Sequence, residues 1–353
     1  MQRYKGLGIM SGTSLDGLDI ALCEFGYSTN WEFTIEKAST IKYSDYWISK
    51  LSNAHKLSGI DLSILHKEFG RFIGTSAKEF LSETNSQIDF IASHGHTVFH
   101  QPKKRLTLQI GDGAEIAAIT NIKTVSDFRS LDVALGGQGA PLVPIGDTLL
   151  FSDYDYCINI GGFANISFEK DEVRLAYDIS PANIILNLLA QKLNKDYDKD
   201  GLLGQEGSID QNLLKSLNEI DYYKLPYPKS LGREWLNDTF IPIIDNSDIS
   251  TIDKLSTTYE HIAQQISNSI KKEYSKILIT GGGAYNKHLI NLIKEKTSSE
   301  IIIPNQQIIE FKEALIFAFL GLLRINKQNN TLASVTGATK NSSGGAIFHN
   351  KLD

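Results

Sequence analysis

Apolar and polar positions over the first 25 residues predict two strands joined by a turn. Leu7, Ile9 and Met10 lie before a small-residue run at 11–19, and Ile20, Ala21, Leu22, Cys23 and Phe25 lie after it. Phe33 and Ile35 mark a further strand. Over 61–81 the period changes: Leu62, Leu65, Phe69, Phe72, Ile73, Ala77 and Phe80 recur at helical spacing, with Asp61 placed to cap the helix. Short strands are expected at 88–93, 106–110 and 124–126, with a short alanine-rich helix after Gly113. The glycines and prolines of 127–144 argue against regular structure there.

The second half repeats the opening theme. Cys157-Ile158-Asn159-Ile160, a Gly161-Gly162 turn and Ala164-Asn165-Ile166-Ser167-Phe168 read as strand, turn, strand, which an internally duplicated fold would show. Ile184, Ile185, Leu188, Leu189 and Leu193 predict a helix that Ser180 caps and Pro181 opens. The charged run 196–201 reads as a solvated loop. A helix over 254–270 leads to a strand at 276–280, then Gly281-Gly282-Gly283 and a helix carrying Leu289, Leu292 and Ile293. A strand at 301–303 and an apolar helix around 313–320 follow.

Length and composition narrow the function classes. At 353 residues the chain can bury two cores, and 41% hydrophobic with 22% charged residues is ordinary for a soluble globular protein. A net charge of −6 argues against a nucleic-acid partner. No apolar run reaches the ~20 residues of a membrane span, 314–323 being the longest near-miss. Charged residues at 1–6 run straight into a strand with no apolar signal core, so a cytoplasmic protein is expected. Cys23 and Cys157 sit in apolar strands and read as buried thiols.

Several stretches carry candidate chemistry. The turn Gly12-Thr13-Ser14-Leu15-Asp16-Gly17-Leu18-Asp19 can set backbone N–H groups and hydroxyls against an anion. Its carboxylates would repel a bare phosphate but suit one carrying Mg²⁺, with Asp16 as the metal ligand. An ordinary glycine-rich hairpin is the alternative. No G-x-x-x-x-G-K-[ST] occurs, Gly6-x-Gly8 does not open a helix, and Ser14 fails as a nucleophile elbow because Asp16 stands where glycine is needed. His94, His96 and His100 read either as zinc ligands or as polar residues lining a cleft, and no H-E-x-x-H pattern accompanies them. Arg129, Asp132 and Gln138 suit hydroxyl, amide and carboxylate groups. Asp178, just before the expected helix start, fits either a general base or a charge that only stabilises the helix. Three glycines between strand and helix offer bare backbone to a flat ligand.

The opening run G-I-M-S-G-T-S-L-D-G-L-D resembles that of the anhydro-N-acetylmuramic acid kinases, which belong to the sugar kinase, actin and heat-shock ATPase superfamily. The stretch Asp127-Phe128-Arg129 through Pro144 matches the family's D-F-R-x-x-D-x-A-x-G-G-Q-G-A-P-L-V-P, and similar matches extend to Phe348. The resemblance implies an α/β, two-lobed, actin-like ATPase (ribonuclease H-like) fold with the active site in the interlobe cleft. It divides the chain into 1–130 plus 331–353 and 131–330. ATP and Mg²⁺ are implied as cofactors, with the opening turn, Gly161, Gly162, Gly281, Gly282, Gly283 and Asn286 on ATP. His96 (a glutamine in the family), Thr97, Arg129, Asp132, Gln138, Asn183 and Glu313 are implied on the sugar, and Asp178 as catalytic base. The implied reaction opens the ring of 1,6-anhydro-N-acetylmuramic acid and yields N-acetylmuramic acid 6-phosphate, in cell-wall recycling. The family is commonly homodimeric.

The chain departs from the family's D-T-G-P-G-N at Ile179, Ser180 and Ala182, and carries Asn187 where the family has Asp. Those changes would narrow the turn around the substrate or mark altered chemistry. An ATP-binding regulator on the same fold and a histidine-metal sugar hydrolase therefore stay open at this stage.

Overall fold

Strands buried along continuous stretches, followed by long amphipathic helices, build two α/β units. A computed structural model describes residues 2–12, 14–84 and 86–349, so Thr13 lies outside the described residues. The described residues form twelve strands: β1 (Gln2–Ser11), β2 (Gly17–Tyr27), β3 (Trp31–Lys42), β4 (Phe90–Gln101), β5 (Leu106–Ile110), β6 (Thr124–Ser126), β7 (Tyr156–Ile160), β8 (Phe163–Lys170), β9 (Val173–Pro181), β10 (Lys276–Thr280), β11 (Glu300–Ile302) and β12 (Ala346–Phe348). One unit comprises residues 1–150 and 311–353, the other 151–310.

In the first unit the sheet order is β12-β6-β4-β1-β2-β3, with β5 on β4. β1 pairs antiparallel with β2 and parallel with β4, which is parallel to β6. The second unit reads β11-β10-β7-β8-β9, with β7 antiparallel to β8 and parallel to β10, and β10 parallel to β11. Counted within each unit, the second sheet runs 3-2-1-4-5 with only its second strand reversed, and the first runs 3-2-1-4-6 with its second strand reversed and with β5 and β12 antiparallel to β4 and β6. The shared 3-2-1-4 order is the duplication that the paired glycine hairpins predicted, in the ribonuclease H-like arrangement that the resemblance implied.

Helices cover these sheets because their apolar stripes match. Leu65, Phe69, Ile73, Ala77 and Phe80 of helix Gly59–Ser82 enter the first core beside Leu7, Ile9, Leu18, Ile20 and Leu22. Helix Gln306–Ile325 crosses β1 so closely that a Cβ on Gly8 would fall 1.8 Å from the Ala314 carbonyl oxygen. In the second core, Leu255, Tyr259, Ile262 and Ile266 of helix Thr251–Ser269 pack with Ile158, Ile160, Ile277 and Ile279. No helix among the described residues is long and apolar enough to cross a membrane. Cys23 and Cys157 are buried free thiols.

Several local expectations are corrected. Helix Gly59–Ser82 is capped by Ser58, whose Oγ accepts the Asp61 N–H at 3.1 Å, while Asp61 takes the third helical position. Ser180 and Pro181 end β9, and the next helix, Asn183–Lys192, starts after Ala182, because 173–181 stays paired to β8. The stretch 127–144 holds a short helix, Ser130–Ala134, and its last proline opens another, Pro144–Leu150. The run 196–201 is not simply solvated: Asp198 is buried and accepts the Leu203 and Gly204 N–H groups at 2.9 Å each. The units divide at 150/151 and 310/311 rather than at 130 and 330. Gly146 lies against Ile316, and Lys312 pairs with Asp147 at 2.7 Å, which keeps both flanking helices with the first unit.

Candidate functional site

The glycine turns and polar motifs singled out from the sequence lie near the carboxyl ends of parallel strands, each within its own unit, where open α/β sheets bind ligands. In the first unit, β1 ends at Ser11, which is in register with His96 of β4, and β6 ends one residue before Asp127. The turn after β1 passes Ser14, whose hydroxyl donates to Asp16 Oδ1 at 2.7 Å, and Leu15, at φ 62°. Asp16 is exposed. Gly17 cannot carry a side chain, since a Cβ would lie 2.7 Å from the Ile41 carbonyl oxygen. Asp19 accepts the Thr40 hydroxyl at 2.5 Å. Leu18 points its side chain into the core, so only its backbone is available to a ligand.

Beneath that turn lies a buried polar chain. The Tyr43 hydroxyl donates to Ser11 Oγ at 2.7 Å, and Ser11 Oγ lies 3.0 Å from His96 Nδ1. Burial drives the His96 pKa down to about 4, so the ring is neutral near pH 7. Thr97, half-buried beside it, accepts from Gln109 Nε2 at 3.3 Å.

His94 has both ring nitrogens engaged: Nε2 accepts from Arg129 Nε at 2.9 Å, and Nδ1 lies 2.9 Å from the Gly95 carbonyl oxygen. Burial, and then the Arg129 charge, hold its pKa well below the ordinary value. A zinc ion would have to displace that arginine. Among the described residues no group of three or more His, Cys, Asp or Glu side chains could hold a metal.

Arg129 also donates through Nη1 to the Gly139 carbonyl at 2.5 Å. Burial lowers its pKa to about 10, against the raising effect of Glu313 and Asp132, so it stays charged at neutral pH. Glu313 is exposed although protein atoms crowd around it; that crowding raises its pKa, and Arg129 and Lys312 lower it in turn. Asp132 is bonded within the first unit through both oxygens. It is fully buried, with Oδ2 accepting the Gly139 N–H and Oδ1 the Thr336 hydroxyl, each at 2.7 Å. It pins the loop that presents Gln138, which is exposed and bonds through its backbone N–H to Thr336 O at 2.8 Å.

In the second unit the Gly161-Gly162 turn, Asn183 and the triple glycine converge. Asn183 Nδ2 donates to the Ile160 carbonyl at 3.2 Å, and its backbone N–H to Gly161 O at 3.1 Å. A Cβ on Gly281 would lie 2.5 Å from Asn159 Oδ1, and one on Gly283 would lie 2.2 Å from Ile160 Cγ2. Gly282 is exposed, and a Cβ there would lie 3.8 Å from the nearest atom, Asn183 Nδ2. Asn286 instead caps helix Lys287–Glu295: its Oδ1 accepts the Leu289 N–H at 3.1 Å, and its Nδ2 donates to Tyr259 OH at 2.7 Å. Both polar atoms of its side chain are thus engaged within the unit.

Asp178 stands in β9, three residues before the strand ends, and is half-buried. Its Oδ2 accepts the Leu231 N–H at 2.8 Å. Burial raises its pKa and that hydrogen bond lowers it, the net direction being up. Sequence reasoning leaves 225–235 without a role, although the Pro-Lys-Ser-Leu-Gly-Arg-Glu-Trp run is visible there. It also misses Ser11, Tyr43 and Thr336 as partners, because their contacts join residues far apart in the chain. The departures at Ile179, Ser180 and Ala182 are all buried, and Ile179 and Ala182 belong to the second core, so they do not narrow a substrate turn with their side chains.

The family described as "Anhydro-N-acetylmuramic acid kinase" matches residues 2–350. The chain is 35% identical to a protein of that name from Hydrogenovibrio crunogenus, covering 97% of each chain. It is 34% identical to another from Aliivibrio fischeri, covering 99% of each. Among solved structures, component A of the (R)-2-hydroxyglutaryl-CoA dehydratase of Acidaminococcus fermentans is similar at a TM-score of 0.46 and 13% identity, over 89% of this chain and 96% of that one. The near full-length match at these identities decides the family: this chain is a kinase belonging to the anhydro-N-acetylmuramic acid kinases.

Proposed function

We propose that the protein uses ATP and water to open the 1,6-anhydro ring of anhydro-N-acetylmuramic acid and to phosphorylate the released O6. The observation that carries this reading is Asp178, a half-buried carboxylate with a raised pKa and one oxygen held by a backbone N–H. A raised pKa brings a carboxylate toward the range in which a general base works best. In the anhydro sugar O6 is tied to C1, so no free hydroxyl is available there to an ordinary kinase.

The reaction balances as follows. Asp178 takes one proton of a water molecule, whose oxygen bonds to C1 and keeps its second proton as the C1 hydroxyl. The C1–O6 bond breaks with its electron pair on O6, which bonds to the γ-phosphorus as the bond to ADP breaks. The proton on Asp178 then leaves to solvent. Arg129, still charged at neutral pH, suits the lactyl carboxylate of the sugar, and His96 offers a neutral ring. Gly161, Gly162 and Gly281 to Gly283 supply bare backbone for the nucleotide.

The donor set of the opening turn fits Mg²⁺. Mg²⁺ keeps several waters and takes one or two protein carboxylates plus substrate phosphates, and Asp16 is an exposed carboxylate in such a turn. When bound, the ion neutralises phosphate charge. As an ATP user the enzyme works in the cytoplasm.

A phosphotransfer screen with ATP and a panel of anhydro and open-ring amino sugars tests the reading. Turnover with the 1,6-anhydro sugar and a 6-phosphate product is expected. Nucleotide binding without turnover on any sugar would overturn it in favour of a regulator.

A further inference from the structure

Asp178 sits on β9, an edge strand of the second sheet, and that edge is covered by the segment from Tyr222 to Leu231. Four hydrogen bonds join or brace the two. The Asp178 N–H donates to Lys229 O at 3.2 Å, and the Leu231 N–H donates to Asp178 Oδ2 at 2.8 Å. The Tyr222 hydroxyl donates to the Asp178 carbonyl at 2.5 Å, and Lys229 Nζ donates to the Tyr222 carbonyl at 3.0 Å. Lys229 Nζ also lies 4.6 Å from the Tyr222 ring centroid and 5.4 Å from that of Tyr177, within cation–π reach of both.

The segment is also held at Tyr223, whose hydroxyl lies 2.8 Å from His261 Nε2, and at Tyr227, whose ring stacks on Tyr177 at 5.8 Å. Its other side borders a cavity of about 920 Å³, lined in part by Tyr222, Pro228, Lys229, Ser230 and Trp235. Pro228 and Ser230 are exposed, whereas Tyr222 is buried and Lys229 half-buried. Within the segment, Tyr222 bonds the Asp178 backbone through its side chain and Lys229 braces Tyr222.

We propose that Tyr222 and Lys229 are positioning residues for the base: they hold Leu231 N–H on Asp178 Oδ2 and so leave Oδ1 as the oxygen that takes the proton from water. The inference rests on Asp178 being the base. A carboxylate with one oxygen tied cannot rotate freely, so its second oxygen keeps a fixed line to the attacking water. The same hydrogen bond favours the ionised carboxylate, so loosening it raises the pKa of the base. Neither residue needs to touch the sugar or the nucleotide for this effect.

The test uses the full-length enzyme and the variants Tyr222→Phe, Lys229→Met and Asp178→Asn. For each, kcat and KM for sugar and ATP are measured across the acid limb of the pH profile, alongside thermal melting. Tyr222→Phe and Lys229→Met should each lower kcat by roughly tenfold with KM for ATP unchanged, since a small misplacement at the reacting centre acts on the chemical step. The acid limb of kcat should move to higher pH in both. A limb that stays put in both variants, whether activity is full or falls only in step with melting temperature, overturns the positioning role. Asp178→Asn separates the two claims: full activity there means the base itself is misassigned, and the positioning role falls with it. An inactive Asp178→Asn beside an unmoved limb in the other two sinks only the positioning role.

Discussion

The triple glycine after β10 allows three single substitutions with three different expected outcomes. Gly281 has φ 81° and ψ 168°, a region essentially closed to side chains, and its added Cβ would lie 2.5 Å from Asn159 Oδ1 and 2.8 Å from the Ile160 carbonyl oxygen. Backbone strain there costs about 1–3 kcal/mol before any clash, so Gly281→Ala should be the most destabilising of the three. Gly283 lies in a helical turn, but its Cβ would meet Ile160 Cγ2 at 2.2 Å and Ile160 Cβ at 2.7 Å. Overpacking of that kind costs about 1–3 kcal/mol. Gly282 differs from both. It is exposed, and its Cβ would have no neighbour nearer than 3.8 Å, so Gly282→Ala should leave stability unchanged or raise it by about 0.4–1 kcal/mol through the unfolded chain. If the nucleotide lies on this backbone, the added methyl meets the ligand instead of the protein. Chemical denaturation of each variant gives the stability order, and KM for ATP gives the contact. Gly282→Ala should raise KM for ATP roughly tenfold, the effect of losing about 1.4 kcal/mol of contact. An unchanged KM with native stability would refute the assignment of this turn to the nucleotide.

Two further outcomes follow from buried polar groups. Burial holds His96 at a pKa of about 4 and His261 at about 3, both below the ordinary 6.5, so the unfolded chain takes up protons that the folded chain does not. Stability present above pH ~6.5 is therefore lost as the pH falls, by roughly 2 kcal/mol per histidine at about pH 5. His261 bonds Tyr223 OH at 2.8 Å and Asn218 Oδ1 at 2.7 Å, so His261→Gln, followed by urea melts on Trp235 fluorescence, should reduce the acid loss by about that amount. Equal losses in both proteins would contradict the linkage. Ser180 is fully buried and its hydroxyl has no hydrogen-bond partner among the described residues, so Ser180→Ala should stabilise by about 1 kcal/mol; a loss of stability would mean that the hydroxyl is bonded after all.

Much of the fold was legible because its signals are local. The paired hairpins at 11–19 and 161–162 announced the duplicated sheet, and the stripe from Leu62 to Phe80 announced the helix that covers the first one. The candidate glycine turns and Asp178 stood out because unusual residue types cluster there within a few positions. Local signals were not enough where tertiary partners decide the outcome. Nothing near Asp132 in the chain shows that its oxygens accept from Gly139 N–H and the Thr336 hydroxyl. Nor does the triple glycine show that Asn286 caps the helix that starts at Lys287. Ser180 has a capping residue's chemistry, but pairing of β9 with β8 keeps it in the strand. The brace formed by Tyr222 and Lys229 joins positions more than 40 residues beyond Asp178, which no periodicity could reveal.

The central claim is that Asp178 activates a water for attack at C1 while O6 leaves to the γ-phosphoryl group. Turnover of 1,6-anhydro-N-acetylmuramic acid and ATP in oxygen-18 water tests it most directly, with product mass and fragmentation locating the label. The account predicts one label on the C1 hydroxyl and none in the phosphate ester, with the rate reduced by at least ~10² in Asp178→Asn while ATP still binds. Label in the phosphate group, or full activity in Asp178→Asn, would contradict it.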